Sequence, residues 1–157
     1  MFVSQNIQLV EKDGFRSLIA KDFFEPDQLI LEFEQNFVAK PNNFTFRIDE
    51  NLHQLSTDPN AWENYINHDC EPNGYIEFKN FSFVALRKIF PGEVLSYNYF
   101  TTDWDDEDVF TCHCQSKKCK KIINGFKNLS YQEMVKLEPY LSPFLKRKMK
   151  ELTLSRI

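Results

Sequence analysis

The chain has 157 residues and a formal charge of −4, which results from 19 Lys and Arg against 23 Asp and Glu. With 42% hydrophobic and 27% charged residues, it has the composition of one globular domain with its own core, which excludes wholesale disorder. The mild acidity argues against a general binder of nucleic-acid phosphates, and no apolar run approaches the roughly 18–20 residues of a membrane span.

The amino terminus and the aromatic content narrow these expectations. Residues 1–15 lack the basic n-region and the apolar h-region of a signal peptide, so we expect an intracellular protein without a membrane partner. We also expect no direct binding of nucleic acid. The 16 Phe and only 4 Gly favour strands and a thick aromatic core. The predicted fold class is therefore mainly β with short helices (α+β).

Alternation of apolar and polar residues predicts the strands. In chain order they cover residues 28–33, 44–49, 76–79, 81–87 and 94–99. In the first of them, Leu29, Leu31 and Phe33 should share one face of the strand. In the last, Tyr97 and Tyr99 should share a face, which would place two phenol rings side by side.

A short helix is predicted after the second strand. Asp58-Pro59 combines an N-cap residue with proline at the first helical position. The buried stripe of this helix should consist of Trp62, Tyr65 and Ile66.

Two further helices are predicted near the carboxyl terminus. Ser130 and Glu133 have the spacing of a capping box, and Ser142-Pro143 begins another helix that ends in a basic stretch. The chain should thus form one compact unit with a β-rich body, a cysteine-bearing segment and a helical tail, over residues 1–110, 111–129 and 130–157.

The cysteines predict a zinc site. Cys112, Cys114 and Cys119 lie within eight residues, and Cys70 is the only other cysteine. Structural zinc takes four ligands in a tetrahedron, so Cys70 is the candidate for the fourth. The alternatives are two disulfides or four unrelated buried thiols, and His113 could replace one thiol. Disulfides are disfavoured because no secretory signal is present.

Two other segments are candidates for function. Residues 67–73 are dense in polar side chains directly after an apolar helix, which is also typical of a plain turn with His68 as a hydrogen-bonded spacer. If Cys70 binds zinc, however, this loop is held rigidly beside the cysteine segment. Tyr97 and Tyr99 could equally be core aromatics whose hydroxyls reach a partner.

Taken together, three segments carry the motifs of one known family in order. NHDCEPN at residues 67–73 resembles the NHxCxPN signature of SET-domain protein methyltransferases. Residues 83–99 resemble the strand–turn–strand that follows it and ends in the family's GEELTYDY element. The spacing of Cys112, Cys114 and Cys119 is similar to the family's post-SET zinc motif, whose fourth ligand is the cysteine of NHxCxPN, here Cys70.

The resemblance implies a fold and a reaction. The fold is a SET-domain β-fold of small curved sheets with a knot-like C-terminal crossing, a post-SET zinc segment and C-terminal helices. The reaction is transfer of a methyl group from S-adenosyl-L-methionine to the ε-amine of a lysine in a protein or peptide substrate. The two substrates enter from opposite faces and meet in a narrow channel. Desolvation beside a cationic sulfonium lowers the pKa of lysine from its usual value of about 10.4, which releases the neutral amine.

The resemblance also implies roles for individual residues. Tyr99 matches the catalytic tyrosine of the family. Tyr97 matches the position where Phe or Tyr tunes the number of methyl groups, and because it is Tyr here we expect mainly mono- or dimethylation. Asn67 and His68 match the pair that binds the cofactor.

Further cofactor contacts are expected on two sides. Phe15-Arg16-Ser17 stands where many members have Gly-x-Gly, the loop whose backbone approaches S-adenosylmethionine, so Arg16 and Ser17 are candidate contacts. The zinc segment should close one wall of the channel, with Ile122 or Phe126 near the adenine. Both residues could instead be plain core.

An acidic run at residues 103–108 lies between the tyrosines and the cysteines. It is either a solvated loop or a channel mouth that attracts a basic peptide. Two other functions also stay open. The displaced Gly-x-Gly supports a catalytically inactive, zinc-stapled SET-like protein-interaction module. A zinc-ribbon binder of nucleic acid would need a basic face, for which only residues 117–121 and the tail from residue 146 are candidates.

Overall fold

The computed structural model describes residues 2–40, 42, 44–105 and 109–154, and in these residues short strands form five small sheets. The strands are β1 (Ile7–Lys12), β2 (Phe15–Ala20), β3 (Leu29–Glu32), β4 (Phe37–Val38), β5 (Phe46–Asp49), β6 (Leu52–Gln54), β7 (Asn67–His68), β8 (Gly74–Glu77), β9 (Ser82–Ala85), β10 (Ser96–Tyr97), β11 (Phe110–Thr111) and β12 (Ile122–Ile123). The α-helices are α1 (Tyr131–Leu137) and α2 (Pro143–Leu154), and one-turn 3₁₀ helices cover Trp62–Tyr65, Tyr99–Thr101, Phe126–Asn128 and Glu138–Tyr140. The predicted fold class, mainly β with short helices, is confirmed.

The chain begins with a hairpin that the sequence analysis did not predict. β1 pairs antiparallel with β2 from Ile7 opposite Ala20 to Lys12 opposite Phe15. Asp13 and Gly14 connect the two strands with φ angles of 54° and 80°. Asp-Gly tolerates two consecutive positive φ angles, which the tight hairpin turn requires.

The central sheet has the order β3-β9-β8 and contributes much of the main core. The face predicted for residues 28–33 is wrong at its first member. A bulge interrupts the pairing of β3 with β9 between Leu29 and Leu31. Ile30 and Leu31 are therefore both buried, whereas Leu29 is 36% exposed.

A parallel pair of short strands brings the polar loop to the tyrosine segment. In β7 and β10, Asn67 lies opposite Ser96 and His68 lies opposite Tyr97. The Asn73 side chain, which is buried, strengthens this contact: its Nδ2 donates to the Val94 carbonyl at 2.8 Å, and its Oδ1 accepts from the Ser96 N–H at 2.9 Å. Residues 67–73 are thus attached to the start of the tyrosine segment at both ends.

The helix predicted after Asp58-Pro59 is wrong in extent, but its predicted apolar stripe does face the main core. Asp58 closes a turn instead, because its Oδ1 accepts from the Asn60 N–H at 2.8 Å. The helix that follows is a single 3₁₀ turn, Trp62–Tyr65, without a side-chain cap. Ile66 is buried, and Trp62 and Tyr65 pack half-buried against that core. Glu63 is also buried, at 6% exposed, and the predicted stripe did not include it.

The carboxyl-terminal helices begin where predicted. The Ser130 hydroxyl accepts from the Glu133 N–H and the Glu133 carboxylate accepts from the Ser130 N–H, so the capping box is confirmed. α2 begins after Ser142, whose Oγ accepts from the Leu145 N–H at 3.2 Å. Among the described residues, no helix has both the length and the apolar character that a bilayer span requires.

α2 packs against β5 through charged and aromatic contacts. Arg147 pairs with Asp49 at 2.7 Å and Lys148 pairs with Glu50 at 2.6 Å. Beneath them the helix buries Phe144 in a second core, which also contains the following buried residues: Phe126, Met134, Leu141 and Leu145.

We expect Gly74→Ala to lower the free energy of unfolding by about 1–3 kcal/mol, because an added Cβ would overlap ring atoms of the fully buried Phe83. Thermal denaturation measures the effect. As a control, Phe83→Leu should cost less in the Gly74→Ala background than in the unaltered chain, since the shorter side chain removes the overlap. Equal melting of Gly74→Ala and the unaltered protein would contradict this packing.

Candidate functional site

The four cysteines converge on one point, as predicted. The Sγ atoms of Cys70, Cys112, Cys114 and Cys119 all lie within 4.8 Å of one another. Four thiolates around a tetrahedral zinc with bonds of about 2.3 Å are about 3.8 Å apart, and the Cys70 and Cys112 sulfurs are separated by 3.9 Å. All four cysteines are free, which argues against the disulfide alternative. His113 is exposed and lies outside the cluster.

Polar contacts join the loop of Cys70 to the segment that carries the other three cysteines. Glu71 accepts from the Ser116 hydroxyl at 2.6 Å and pairs with Lys118 at 2.9 Å. The Lys120 N–H points at the Cys70 sulfur from 3.4 Å. The cluster is therefore built from two distant parts of the chain that touch each other beside the sulfur atoms.

The chemistry of these sulfurs fits a cation. Burial raises the pKa of the Cys70 thiol, and burial also raises the pKa of Cys112 to about 11. Without a cation, both groups would be protonated near neutral pH. A divalent metal stabilises the thiolate form and would hold the cluster closed, so these four residues could hold one zinc ion.

His68 connects the cysteine cluster to the tyrosine segment. Its Nδ1 accepts from the Tyr99 N–H at 3.1 Å, and its Nε2 lies 3.3 Å from the Cys70 sulfur. Burial lowers the pKa of His68 to about 4, so the ring is neutral and carries its one proton on Nε2. A single imidazole thus holds Tyr99 on one side and a metal ligand on the other, as a partner that orients the ligand would do.

Asn67 lies beside both predicted residues of the second strand. Its Nδ2 donates to the Ser17 hydroxyl at 2.8 Å and lies 3.4 Å from the Arg16 carbonyl. The Arg16 side chain turns away from it: the guanidinium pairs with Glu11 at 3.0 Å and donates to the Tyr65 hydroxyl at 2.9 Å. The structure therefore brings Asn67, Arg16 and Ser17 together through the Ser17 hydroxyl and the Arg16 carbonyl.

The two tyrosines pack against each other, although Tyr99 belongs to a 3₁₀ turn rather than to the strand. Their ring centroids are 4.8 Å apart. The Tyr99 hydroxyl donates to the Ile66 carbonyl at 3.1 Å, so both ends of this residue are fixed. Burial raises the pKa of both phenols above the usual range, which keeps Tyr97 and Tyr99 neutral.

Cavities lie on two sides of Tyr99. The first, here called the acidic cavity, has a volume of about 520 Å³. The second, the histidine cavity, has a volume of about 460 Å³ and is lined by Phe15, Asn67, His68 and residues of the cysteine segment. Tyr99 and Phe110 line both cavities, so they form the wall between them. The acidic cavity is walled by Tyr97 and by four carboxylates: Glu50, Glu63, Asp103 and Asp105.

Ile122 and Phe126 were predicted near an adenine, and that role stays a prediction. Ile122 is 47% exposed on β12, and Phe126 is fully buried in the second core, where its ring lies 6.4 Å from that of Trp104. Neither belongs to the lining of the histidine cavity. Phe15 and Phe110 provide the aromatic surface of the histidine cavity.

Among the lining residues that were not predicted from the sequence, three bear on the chemistry: Phe15, Phe110 and Glu63. Phe15 is 79% exposed, and its position directly after the hairpin glycine was the available signal. Phe110 precedes the cysteine motif without any pattern of its own. Glu63 could have been noticed because it is the one acid within the apolar helix segment at residues 61–66.

The acidic run predicted as a possible channel mouth is described in part. Asp103 and Asp105 line the acidic cavity. Asp106, Glu107 and Asp108 lie outside the described residues.

Comparisons with known proteins agree with this geometry. A family model described as "SET domain" matches residues 16–100. The histone-lysine N-methyltransferase trithorax of Drosophila virilis is 38% identical over 87 residues, which are 52% of this chain and 2% of that protein. The histone-lysine N-methyltransferase, H3 lysine-4 specific, of Saccharomyces cerevisiae is 27% identical over 129 residues, 68% of this chain and 12% of that protein. The chain therefore spans a small part of these relatives.

Two solved structures share the fold. KRYPTONITE in complex with mCHH DNA, an H3(1-15) peptide and SAH is 19% identical, with a TM-score of 0.58 over 76% of this chain and 30% of that one. KRYPTONITE in complex with mCHG DNA and SAH is 20% identical, with a TM-score of 0.55 over 68% of this chain and 26% of that one.

We expect the purified protein to retain about one zinc per chain, measured by elemental analysis after dialysis against a weak chelator. Cys114→Ala should lose most of this metal, because it removes one of the four ligands. His113→Ala is the matched control, since its side chain is the neighbour in sequence but lies outside the cluster. Equal zinc in the two variants would contradict the assignment of the ligands.

Proposed function

The chain belongs to the SET-domain family, and on that premise we propose that it is an S-adenosylmethionine-dependent protein-lysine N-methyltransferase. The observation that carries the proposal is the position of Tyr99 between two cavities. The histidine cavity on one side and the acidic cavity on the other offer separate entrances for a cosubstrate and for a lysine side chain. Both would reach the same phenol.

The histidine cavity is the proposed site of S-adenosylmethionine, whose sulfonium supplies an activated methyl group. Asn67 and His68 line it, and Phe15 and Phe110 add aromatic faces. Aromatic faces attract cations and exclude water, which suits a positively charged sulfonium. The SAH in the two KRYPTONITE complexes supports this assignment. The zinc cluster would keep the cysteine wall of this cavity in place.

The acidic cavity is the proposed site of the lysine side chain. Methyl transfer requires a neutral amine, and burial among Tyr97, Tyr99 and Phe110 disfavours the ammonium form. The neutral phenols can orient the amine by hydrogen bonds without adding a charge that would stabilise the ammonium. Catalysis then consists mainly of alignment and exclusion of water.

The substrate we propose is an intracellular protein that presents a lysine in a basic sequence. Carboxylates of the acidic cavity support this choice, because negative charge attracts cationic peptides. Glu50 is already paired with Arg47, which also lines the cavity, and with Lys148, so the other three acids carry the argument: Glu63, Asp103 and Asp105. The H3(1-15) peptide in one KRYPTONITE complex fits the same class of substrate.

We expect Tyr99→Phe to lower kcat for methyl transfer by about 10²–10³-fold, which is typical for removal of one positioned hydrogen-bonding group. Tritium transfer from labelled S-adenosylmethionine to histones or cell proteins measures the rate. Tyr75→Phe is the matched control, because Tyr75 packs against Tyr140 and lines neither cavity.

Two results of this experiment would count against the proposal. Equal rates for Tyr99→Phe and the unaltered chain would remove the role of the phenol. If the unaltered, zinc-loaded protein bound a histone peptide without transferring a methyl group to any substrate, the inactive interaction module would be the better description.

The number of methyl groups provides a separate prediction. We propose mainly mono- and dimethylation, because the buried Tyr97 hydroxyl leaves less room for a methylated amine to turn. Tyr97→Phe should therefore shift the products towards trimethyl-lysine, which mass spectrometry of the modified peptide detects. A product dominated by trimethyl-lysine with the unaltered protein would contradict this role of Tyr97.

A further inference from the structure

A buried carboxylate lies in the wall of the acidic cavity. Glu63 is 6% exposed, although it belongs to a single 3₁₀ turn at the surface of the main core. The Ile66 N–H donates to the Glu63 carbonyl at 3.3 Å, and the Ile66 carbonyl accepts the Tyr99 hydroxyl. The turn that carries Glu63 therefore also holds the reactive phenol, so the carboxylate and Tyr99 belong to one wall of the cavity.

Among the residues that the structure describes, the Glu63 carboxyl forms no ion pair. Its hydrogen-bond partner is the neutral Ser56 hydroxyl, and in the described part of the chain no Lys, Arg or His nitrogen lies within ion-pair distance of it. Glu50, in the same cavity, differs because it pairs with both Arg47 and Lys148. A buried carboxylate without a counter-charge is costly, and an incoming cation would offset that cost.

We propose that Glu63 is a specificity-determining residue that binds a second cationic side chain of the substrate, Arg or Lys, close in sequence to the lysine that is methylated. This inference rests on the proposed function. A cavity of about 520 Å³ has the size of a site for several groups, which leaves space for a neighbour of the reacting lysine.

The reacting lysine itself is not the best partner of Glu63. A carboxylate beside the ε-amine would stabilise the ammonium form and oppose the loss of the proton that methyl transfer requires. The neutral phenols of Tyr97 and Tyr99 suit the reacting amine better. A cation that keeps its charge throughout the reaction gains the full benefit of a buried carboxylate, and the guanidinium of arginine does so with bidentate geometry.

The test uses a series of synthetic peptides that each contain one lysine and one arginine. The arginine takes a different position in each peptide, from two residues before the lysine to two residues after it. Each peptide is matched by one in which citrulline replaces arginine, which keeps the shape and removes the charge. We expect the zinc-loaded protein to prefer an arginine peptide by about tenfold in kcat/KM, as for a hydrogen bond between charged groups. Glu63→Gln should reduce this ratio to less than about twofold.

Two control variants separate charge from structure. Ser56→Ala removes the neutral partner of Glu63 but keeps the carboxylate, so the arginine preference should persist. Glu25→Gln removes an exposed acid that lines neither cavity, and both the ratio and the rate should be unchanged. Melting temperatures report whether each variant is folded.

Several results would overturn the inference. One is that the unaltered protein shows no preference for arginine over citrulline at any position. This result would contradict the inference even if Glu63→Gln does not fold. Another is a Glu63→Gln variant that loses rate equally on both members of each pair, which would assign the carboxylate to the reacting lysine.

Fluorescence anisotropy in the presence of S-adenosylhomocysteine measures binding of the same peptides. Selective binding of arginine peptides that depends on Glu63, but without methyl transfer, would support the inference and contradict the proposed function.

Discussion

The parallel contact between Asn67–His68 and Ser96–Tyr97 is the constraint on which the site depends. Two residue pairs would form a weak sheet on their own. The Asn73 side chain supports this sheet, because it donates a hydrogen bond to the Val94 carbonyl and accepts one from the Ser96 N–H. The loop that follows Asn67–His68 contains Cys70, and the segment that follows Ser96–Tyr97 contains Tyr99. One small sheet therefore determines where the Cys70 sulfur and the Tyr99 phenol lie.

His68 makes these two parts mechanically dependent on each other. Its ring accepts from the backbone of Tyr99 and faces the sulfur of Cys70, and its neutral state leaves a single way to satisfy both neighbours. A histidine within a polar loop could have been a spacer. Instead, its two contacts connect the cysteine cluster to Tyr99, which lines both cavities. A shift of the Cys70 sulfur would therefore displace Tyr99.

The sequence was informative where chemistry requires several residues in fixed order. Cysteine spacing and the cysteine of the motif at residues 67–73 were enough to predict that the four sulfur atoms come together. Both helix starts at Ser130 and Ser142 were also predictable, because capping depends on local hydrogen bonds. Features that depend on tertiary packing were not predictable in this way. The bulge after Leu29 and the burial of Glu63 both depart from the local sequence pattern, because packing of the core outweighs local preferences there.

The separation of Cys70 from Cys112 along the chain has a consequence for folding. The two sulfurs that approach to 3.9 Å are 42 residues apart in sequence, and β8, β9 and β10 all lie within that span. A metal bound to both cysteines closes this span into a loop and restricts the unfolded chain, as a covalent cross-link would. The same span also carries part of the lining of the acidic cavity, including Tyr97 and Tyr99. Folding of the core and metal binding both require this loop to be closed. Once one of them has closed the loop, the other loses less chain entropy when it forms.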